Sequence, residues 1–456
     1  MLLLINGILL VICLLLNCVG YYNRNVTTTT LSSTTTNLTQ STLNTFAKFQ
    51  NNYLVVYLCM TFSDWLQGAY VYVLYESYGY EIETISRLFI FGFFSSMIFG
   101  TIIGSLSDKL GRKKICLTFV VLYALACLTK HSSNLVVLMI GRFFSGIATS
   151  ILSSVFESWM IYEHNNAKFD PSWIGDTFYQ QTFANGIIAI LSGFVSNFLY
   201  DIIGSPVAPF DCAIIFLVIG GAIIYYNWNE NYGDTTGDWK KNFIRGYEVI
   251  RTDKKVLCVA ISQSFFEAAM YIFVLMWTPT LQQAYWDGVK QLDIGYVFAA
   301  FMISVMIGSS IFKIFYSNAS SQKSFTNASR FSSVEFILLI VFITAIVSFI
   351  IPIFFSSFTP ILLSFLVFEA CVGVFWPAIS TMKSMYIPED VRSTVMNYIR
   401  IPTNFLVVLS LYYVNSISQF EVCCGLLLVS VTSQYYLFKY HMADDTKPNF
   451  TSQDNV

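Results

Sequence analysis

The chain has 456 residues, of which 55% are hydrophobic and 11% are charged, and its formal net charge is −2. A mean hydropathy of +0.61 excludes an ordinary soluble domain. The lack of a basic tract argues against a protein that binds nucleic acid through its charge. Runs of about 20 apolar residues recur along the chain, and each is long enough to cross a bilayer as a helix. The composition therefore predicts an all-α membrane protein.

The first apolar run covers residues 1–19 and is predicted to be an extra N-terminal transmembrane helix. A cleaved signal peptide is the alternative. Segment 20–48 is rich in Thr, Ser and Asn, and we predict that it is a disordered linker. If this segment lies in the cytoplasm, as an extra helix requires, the sequons at Asn25 and Asn37 stay unglycosylated.

Twelve further apolar runs divide into two groups of six. Their approximate bounds are 50–76, 87–106, 115–131, 134–160, 177–200, 207–228, 255–284, 293–316, 332–352, 358–386, 391–416 and 420–440. The polar segment 229–254 separates the two groups and is predicted to be a cytoplasmic loop. We therefore expect an N-terminal six-helix bundle at 49–228, a C-terminal six-helix bundle at 255–441 and a cytoplasmic tail at 442–456.

Lysine and arginine residues are concentrated in alternate loops of this arrangement. They lie in or beside the segments 104–114, 161–176, 229–254, 317–331 and 387–390 and in the C-terminal tail. The opposite loops hold Arg87, Lys130 and Lys290. Because short cytoplasmic loops carry an excess of cations, the first set of loops is predicted to face the cytoplasm. The N-terminus of the chain then lies outside.

Five ionisable residues lie near the middle of predicted spans, namely Asp64, Arg142, Glu267, Glu369 and Arg400. Such a residue costs roughly 2.5–3.5 kcal/mol in hydrocarbon on insertion scales, so each should face protein or a water-filled cavity. They form either structural ion pairs between helices or a central binding site. Their similar depth in both halves of the chain favours the binding site.

Two segments of the first bundle resemble signatures of the major facilitator superfamily. The loop Gly104-x-Leu106-Ser-Asp108-Lys-x-Gly111-Arg112-Lys113 is similar to its signature between helices two and three, and Arg142-x-x-x-Gly146 is similar to its helix-four motif. Weak likeness between residues 67–75 and 267–277, and between 142–146 and 369–373, indicates two parallel repeats. The resemblance implies the major facilitator fold, which is built from two six-helix bundles.

The chain also resembles the molybdate-anion transporter branch of that superfamily over about residues 50–440. This likeness rests on several short segments in combination: Asp64-Trp-Leu-Gln67, Gly141-Arg142, Phe156-Glu157-Ser-Trp159, Asn227-Trp-Asn-Glu-Asn-Tyr232, Phe266-Glu267, Trp277-Thr-Pro279, Phe368-Glu369-Ala-Cys and Ile387 to Pro402. The resemblance implies a secondary transporter that imports an inorganic anion by alternating access, with molybdate as the substrate.

Two arginines and several amides are the predicted substrate-binding residues. Arg142 and Arg400 match the charge of an oxyanion with two negative charges, because guanidinium groups bind oxyanions in bidentate fashion. Amide donors are expected to complete the shell, and these are Gln67, Asn185, Asn397 and Asn404. Asn397, Arg400 and Asn404 recur at helical spacing and form one polar face of span eleven.

Three carboxylates are the predicted proton carriers, namely Asp64, Glu267 and Glu369. Carboxylates at the depth of the anion site would oppose anion entry unless they were paired or protonated. We therefore expect anion–proton symport.

Asp108, Arg112 and Glu157 are the predicted gating residues on the cytoplasmic side. Glu157 is expected to pair with Arg112 or Lys113 and to close the inner side. Asp108 is expected to meet the start of span eleven, near residues 390–393, where a helix N-terminus favours a carboxylate.

A sugar or another small polar solute is the alternative substrate, although two midplane arginines favour an anion. A non-transporting membrane sensor on the same fold is the alternative function. The sequence has no HExxH motif and no phosphate-cradling loop, so no cofactor, metal site or enzyme activity is predicted. The expected location is the plasma membrane, where the lipid bilayer surrounds the spans.

Overall fold

A computed structural model of the chain describes residues 1–28, 40–233, 239–285, 292–321, 333–388, 392–414 and 418–445. These residues form α-helices and one short 3-10 turn at Thr129–His131, and the described part contains no strand. The predicted all-α architecture is therefore confirmed.

The helices are numbered in chain order. Up to the end of the first bundle they are α1 (Leu2–Thr28), α2 (Gln40–Gly68), α3 (Val71–Ser77), α4 (Ile82–Leu110), α5 (Arg112–Leu128), α6 (Leu135–Leu152), α7 (Val155–Asn166), α8 (Ser172–Ile203) and α9 (Ala208–Asn227). The remaining helices are α10 (Trp239–Thr252), α11 (Lys254–Tyr285), α12 (Ile294–Ser321), α13 (Val334–Phe354), α14 (Phe358–Tyr386), α15 (Arg392–Tyr412) and α16 (Gln419–Asp445). Within the described residues, 10 helical segments are long and apolar enough to cross a membrane.

Two of the predicted spans are broken rather than continuous. Span one divides into α2 and α3 after Gly68, where a Cβ atom would lie 3.2 Å from the ring of Phe298. Span four divides into α6 and α7 at Ser153 and Ser154, whose hydroxyl groups both donate to the carbonyl of Ser150. Hydroxyl groups that bind the preceding turn compete with the helical ladder and favour a bend.

The Thr-rich linker is shorter than predicted. Helix α1 continues to Thr28 and α2 begins at Gln40, so helix replaces the predicted disorder over 20–28 and 40–48, while 29–39 lies outside the described residues. The start of α2 is helical because of aromatic contacts that the polar composition of this segment does not predict. The ring of Phe46 lies 4.6 Å from that of Trp173 and 5.3 Å from that of Phe169. These contacts hold the start of α2 against α8.

Helix α1 packs against α12 of the second bundle. The side chain of Asn6 is 1% exposed, and its Nδ2 atom donates to the carbonyl of Tyr296 at 3.0 Å. The beginning of α1 therefore lies level with the beginning of α12, which is the end that the loop charges assign to the outside. This packing agrees with an extra helix whose N-terminus is external.

Two helix pairs form the main joins between the bundles in the described residues, and the first is α8 with α12. Near their outer ends the backbones almost touch, since a Cβ on Gly193 would lie 2.7 Å from the nitrogen of Ala299 and one on Gly295 would lie 2.5 Å from the carbonyl oxygen of Gly193. At the inner end the Nζ atom of Lys313 lies 5.6 Å from the ring centroid of Tyr179. This seam is closed along its length.

The second pair, α4 with α15, is closed only in its outer half. We call the buried apolar cluster there the outer seal. Its members come from both bundles: Tyr72, Tyr75, Ile85, Leu88, Phe89, Leu138, Ala268, Leu275, Val407 and Leu411. Below it, Gly100 lies beside Arg400, whereas one turn further no atom of the described residues comes within 4 Å of the Cβ position of Gly104. The bundles are thus sealed outside and apart inside, which is an inward-facing arrangement.

Candidate functional site

The central cluster consists of Glu267 on α11, Lys383 on α14 and Arg400 on α15, all in the second bundle. Glu267 is 6% exposed, and its Oε1 atom accepts a hydrogen bond of 2.7 Å from Gln263. Lys383 and Arg400 are the cations that act electrostatically on this carboxylate, and both also act on each other. Two cations acting on one carboxylate leave a net positive charge in the inner half of the second bundle.

Arg400 reaches from the second bundle to the first. Its Nη2 atom lies 3.5 Å from the hydroxyl of Ser153, at the break between α6 and α7, and its Nη1 atom lies 3.5 Å from the Cβ position of Gly100. The side chain is exposed, and the described contacts use one of the five guanidinium N–H donors. The remaining donors are therefore available to an anion that enters from the inner side.

The predicted amide donors do not gather around Arg400. Gln67 donates to the carbonyl of Ser63 and Asn404 donates to that of Arg400, so both amides bind their own helices. Asn185 on α8 accepts a hydrogen bond of 3.0 Å from the indole of Trp65 on α2. The side chain of Asn397 lies outside the described part of the structure. The predicted shell is thus dispersed in this conformation.

Arg142 lies at a different depth from Arg400. Its Cδ atom packs beside Gly92 of α4, whereas Arg400 packs beside Gly100 of the same helix. Eight residues of helix correspond to about 12 Å. One tetrahedral oxyanion cannot contact both guanidinium groups across that distance, so the predicted shared site between the two arginines is not formed. Arg142 instead belongs to the underside of the outer seal.

The carboxylates of the first bundle are bound by neutral donors. The hydroxyl of Tyr123 makes a very short hydrogen bond to Oδ1 of Asp64. Glu157 accepts a hydrogen bond of 2.9 Å from Gln181, and Gln181 accepts one of 2.8 Å from Tyr53. Neither carboxylate forms an ion pair with the described cations. The first bundle therefore holds its two central acids without help from a cation.

Glu369 on α14 has a third kind of environment. It is buried, and no charged side chain of the described part acts on it electrostatically. Its neighbour Ala370 marks the closest approach of α14 to α12, because a Cβ on Gly308 would lie 2.0 Å from the carbonyl oxygen of Ala370. The three predicted proton carriers are therefore unequal, since only Glu267 faces cations.

The gating residues pair differently from the prediction. Arg112 binds Asp108 one turn earlier at 2.8 Å and also donates to the carbonyl of Ser158 at 3.1 Å. Glu157 binds Gln181, so the expected pair between Glu157 and Arg112 or Lys113 is not formed. The physical reason is spacing: Asp108 and Arg112 are four residues apart across the α4–α5 turn and meet without any movement of the bundles. Residues 389–391, near which Asp108 was expected to dock, lie outside the described residues.

Glu230 also binds this turn. Its Oε1 atom accepts a hydrogen bond of 2.8 Å from the backbone nitrogen of Lys113, and its Oε2 atom accepts one of 3.2 Å from Lys114. A carboxylate at a helix N-terminus is favoured by the helix dipole, and here the helix is α5. The segment that leaves the first bundle is thereby held against the α4–α5 turn.

Two lysines near the functional centre escaped the sequence analysis. Lys383 and Lys130 counted only as loop cations, because each lies close to the end of a predicted span. The sequence feature that could have identified Lys383 is its position on α14. It lies less than two turns beyond Pro377, in the polar inner third of that helix. Lys130 follows an apolar run and precedes the polar segment His131-Ser132-Ser133, so the sequence marks it as a loop residue and not as a buried one.

Comparisons with known proteins agree with this geometry. A family model described as sugar transporters with 12 transmembrane segments matches residues 18–367. The molybdate-anion transporter of Xenopus tropicalis is 30% identical over 425 residues, which cover 90% of this chain and 91% of that protein. The chain belongs to the molybdate-anion transporter family of the major facilitator superfamily. The Danio rerio molybdate-anion transporter is 27% identical over 441 residues, covering 86% of this chain and 88% of its own.

Solved structures show the same fold for this member of the molybdate-anion transporter family. The nucleoside transporter NupG superimposes with a TM-score of 0.61 at 12% identity, over 88% of this chain and 99% of its own. A peptide transporter POT, solved in complex with sulfate, superimposes with a TM-score of 0.67 at 11% identity, over 87% of this chain and 94% of its own. The predicted major facilitator fold is confirmed, and the chain is a multi-pass integral membrane protein.

Proposed function

We propose that the chain is a secondary transporter that imports an inorganic oxyanion, with molybdate as the first candidate, across the plasma membrane. The observation that carries the proposal is the central cluster, where Lys383 and the exposed Arg400 face one carboxylate at the seam between the bundles. The names of the relatives support an anion as the substrate. The outer seal and the open inner half of the α4–α15 seam support alternating access.

The two cations of the central cluster match the charge of a divalent oxyanion. Arg400 supplies two parallel N–H donors to two oxygens, and Lys383 supplies a compact second charge. Glu267 acts electrostatically on these cations and offsets part of their charge when the site is empty. An incoming anion therefore competes with the Glu267 carboxylate for Lys383 and Arg400.

This competition suggests how transport is coupled to protons. Protonation of Glu267 removes its negative charge and frees both cations for the anion. Release of the anion to the inner side lets Glu267 return its proton and pair with Lys383 and Arg400 again. The proton and the anion then move in the same direction, which is symport. Glu369 lacks charged neighbours, so it takes no part in this exchange.

A sugar is the second candidate, because the matching family model is described by that substrate. Sugar recognition needs several side-chain amides and hydroxyls aimed at one cavity. In this structure Gln67 and Asn404 donate to backbone carbonyls of their own helices, so the neutral donors are occupied. The central charge therefore favours an anion.

The test is uptake of labelled molybdate by the full chain in sealed membrane vesicles. We expect saturable uptake that falls at least about tenfold in Arg400→Gln and in Lys383→Met, because each variant removes one charge-assisted contact. Arg87→Gln is the matched control, since Arg87 forms an exposed surface pair with Glu83 at the outer end. Unchanged uptake in both cluster variants, or competition by sugars but not by sulfate, would refute the proposal.

A further inference from the structure

A second group of cations, a buried lysine and a half-buried arginine, lies in the outer half of the first bundle. We call it the outer basic cluster, and it consists of Tyr75 on α3, Lys130 in the 3-10 turn and Arg142 on α6. Lys130 is 2% exposed, and its Nζ atom donates to the hydroxyl of Tyr75 at 2.6 Å. The guanidinium carbon of Arg142 lies 5.3 Å from the ring centroid of Tyr75 and 4.2 Å from that of Phe89.

The charges of the outer basic cluster are not balanced by acids. Among the described residues, neither Lys130 nor Arg142 has a carboxylate oxygen within 4.0 Å. The Nε and Nη2 atoms of Arg142 are buried and have no hydrogen-bond partner in the described part of the chain. Asp64, which lies in the same bundle, is bound by Tyr123. Buried cations without a counter-charge are expensive, so this cluster is poised for an anion.

We propose that the outer basic cluster is a second anion-binding site, which accepts a divalent tetrahedral oxyanion when the outer seal opens. Nε and Nη2 lie on one edge of the guanidinium, which is the edge that binds two oxygens of an oxyanion in parallel. Lys130 adds a point charge. The hydroxyl of Tyr75 accepts from Lys130, so its own proton is free to become a further donor.

The outer seal closes the outer basic cluster in this conformation, and two of its aromatic residues take the place of an acid beside Arg142. Tyr75 and Phe89 belong to the seal and also contact the Arg142 guanidinium. The negative faces of aromatic rings attract a cation, which partly replaces an anion. These rings lie on the first bundle like Arg142 itself, so the seal covers or uncovers the site through its second-bundle members, such as Leu275 and Leu411. An anion that leaves the site when the seal closes then moves inward toward Arg400. Only this direction of movement rests on the proposed function.

The test compares molybdate flux in right-side-out and inverted membrane vesicles that contain the full chain. Lys130→Met is expected to raise KM for external molybdate by about tenfold or more, while KM from the cytoplasmic side stays unchanged. Lys130→Arg keeps the charge and is expected to stay within about threefold of wild type. Lys313→Met is the matched control, because Lys313 makes a similar lysine–aromatic contact at the inner end.

A purely structural cluster gives a different pattern. If Lys130 only braces α3, then Lys130→Met changes KM equally from both sides of the membrane, Lys130→Arg fails to restore it, and the proposal is overturned. If the wild-type chain shows no saturable molybdate flux, the proposed function fails by itself. Binding at the outer site is then tested by the unfolding temperature of the purified chain, measured with and without molybdate or sulfate. Stabilisation that Lys130→Met abolishes supports the site, and stabilisation that survives it, or none at all, overturns it.

Discussion

The central cluster and the outer basic cluster each hold a lysine and an arginine, but they compensate these charges in different ways. In the central cluster the partner is Glu267, and Arg400 remains exposed toward the inner side. In the outer basic cluster the partners are a phenol and aromatic rings, and Lys130 is buried. A carboxylate can exchange a proton near neutral pH when its environment favours it, whereas an aromatic ring cannot. This difference supports our proposals that protons couple at the centre and that anions are captured at the outside.

The two clusters also differ in which bundles build them. The outer basic cluster lies wholly within the first bundle, so rocking of the bundles leaves Tyr75, Lys130 and Arg142 together. Arg400 bridges to Ser153 of the other bundle, so the same rocking changes its surroundings. We infer that the outer site is a fixed platform that the seal covers or uncovers, and that the central site is remodelled in every cycle.

The largest expected effect comes from Glu267→Gln. This change removes the only carboxylate of the central cluster, so that its cations, like those of the outer basic cluster, have no acid beside them among the described residues. Uptake driven by a proton gradient should fall by about tenfold or more, because the cations no longer have an acid that alternates with the anion. Exchange of labelled for unlabelled molybdate should persist, since binding does not require the carboxylate. The measurement is gradient-driven uptake against exchange in the same vesicles.

Glu369→Gln is the matched control for that experiment, since Glu369 is equally buried but has no charged group acting on it in the described structure. It should retain gradient-driven uptake. Loss of coupling in Glu369→Gln with normal coupling in Glu267→Gln would reverse the assignment of the proton site.

A smaller effect is expected from Phe89→Ala, which removes one ring from Arg142 and one member of the outer seal. The weakened seal should shift the population toward the outward-facing state by several-fold, because only the part of the ring's packing that is made across the seal differs between the two states. A cysteine introduced at Leu411 reports this change through its rate of labelling by an external, membrane-impermeant reagent.

Phe91→Ala serves as the comparison for this prediction, because Phe91 lies on the same helix but is exposed on the lipid side. Its labelling rate should match that of the otherwise unchanged chain. Equal rates in the Phe89 and Phe91 variants would show that the ring over Arg142 does not hold the seal.

The smallest expected effect is that of Ser153→Ala at the bridge between Arg400 and the first bundle. The contact is 3.5 Å long, and a hydrogen bond of that length is weak. KM for molybdate should therefore rise by less than about twofold. Ser154→Ala, which alters the same helix break without touching Arg400, controls for changes in the bend. A tenfold rise in KM for Ser153→Ala alone would mean that Ser153 belongs to the binding site.

The sequence by itself determined the all-α membrane architecture of two bundles and the presence of charges at mid-depth in the spans. These features depend on hydropathy and loop charge, which are local properties of the chain. The helices α4, α11 and α14 begin and end within a few residues of the predicted spans. The polar bias of 20–48 was misleading because single aromatic residues such as Phe46 decided where helix begins.

Only the tertiary structure decided which charges meet. Arg142 and Arg400 are both arginines with similar depths in the predicted spans, yet they lie about 12 Å apart along α4. The second cation of the central cluster is Lys383 instead of Arg142. Partners depend on the rotation and the axial position of each helix. Those are set by close backbone approaches such as Gly193 with Gly295, between residues far apart in the chain, and no local pattern of sequence encodes them.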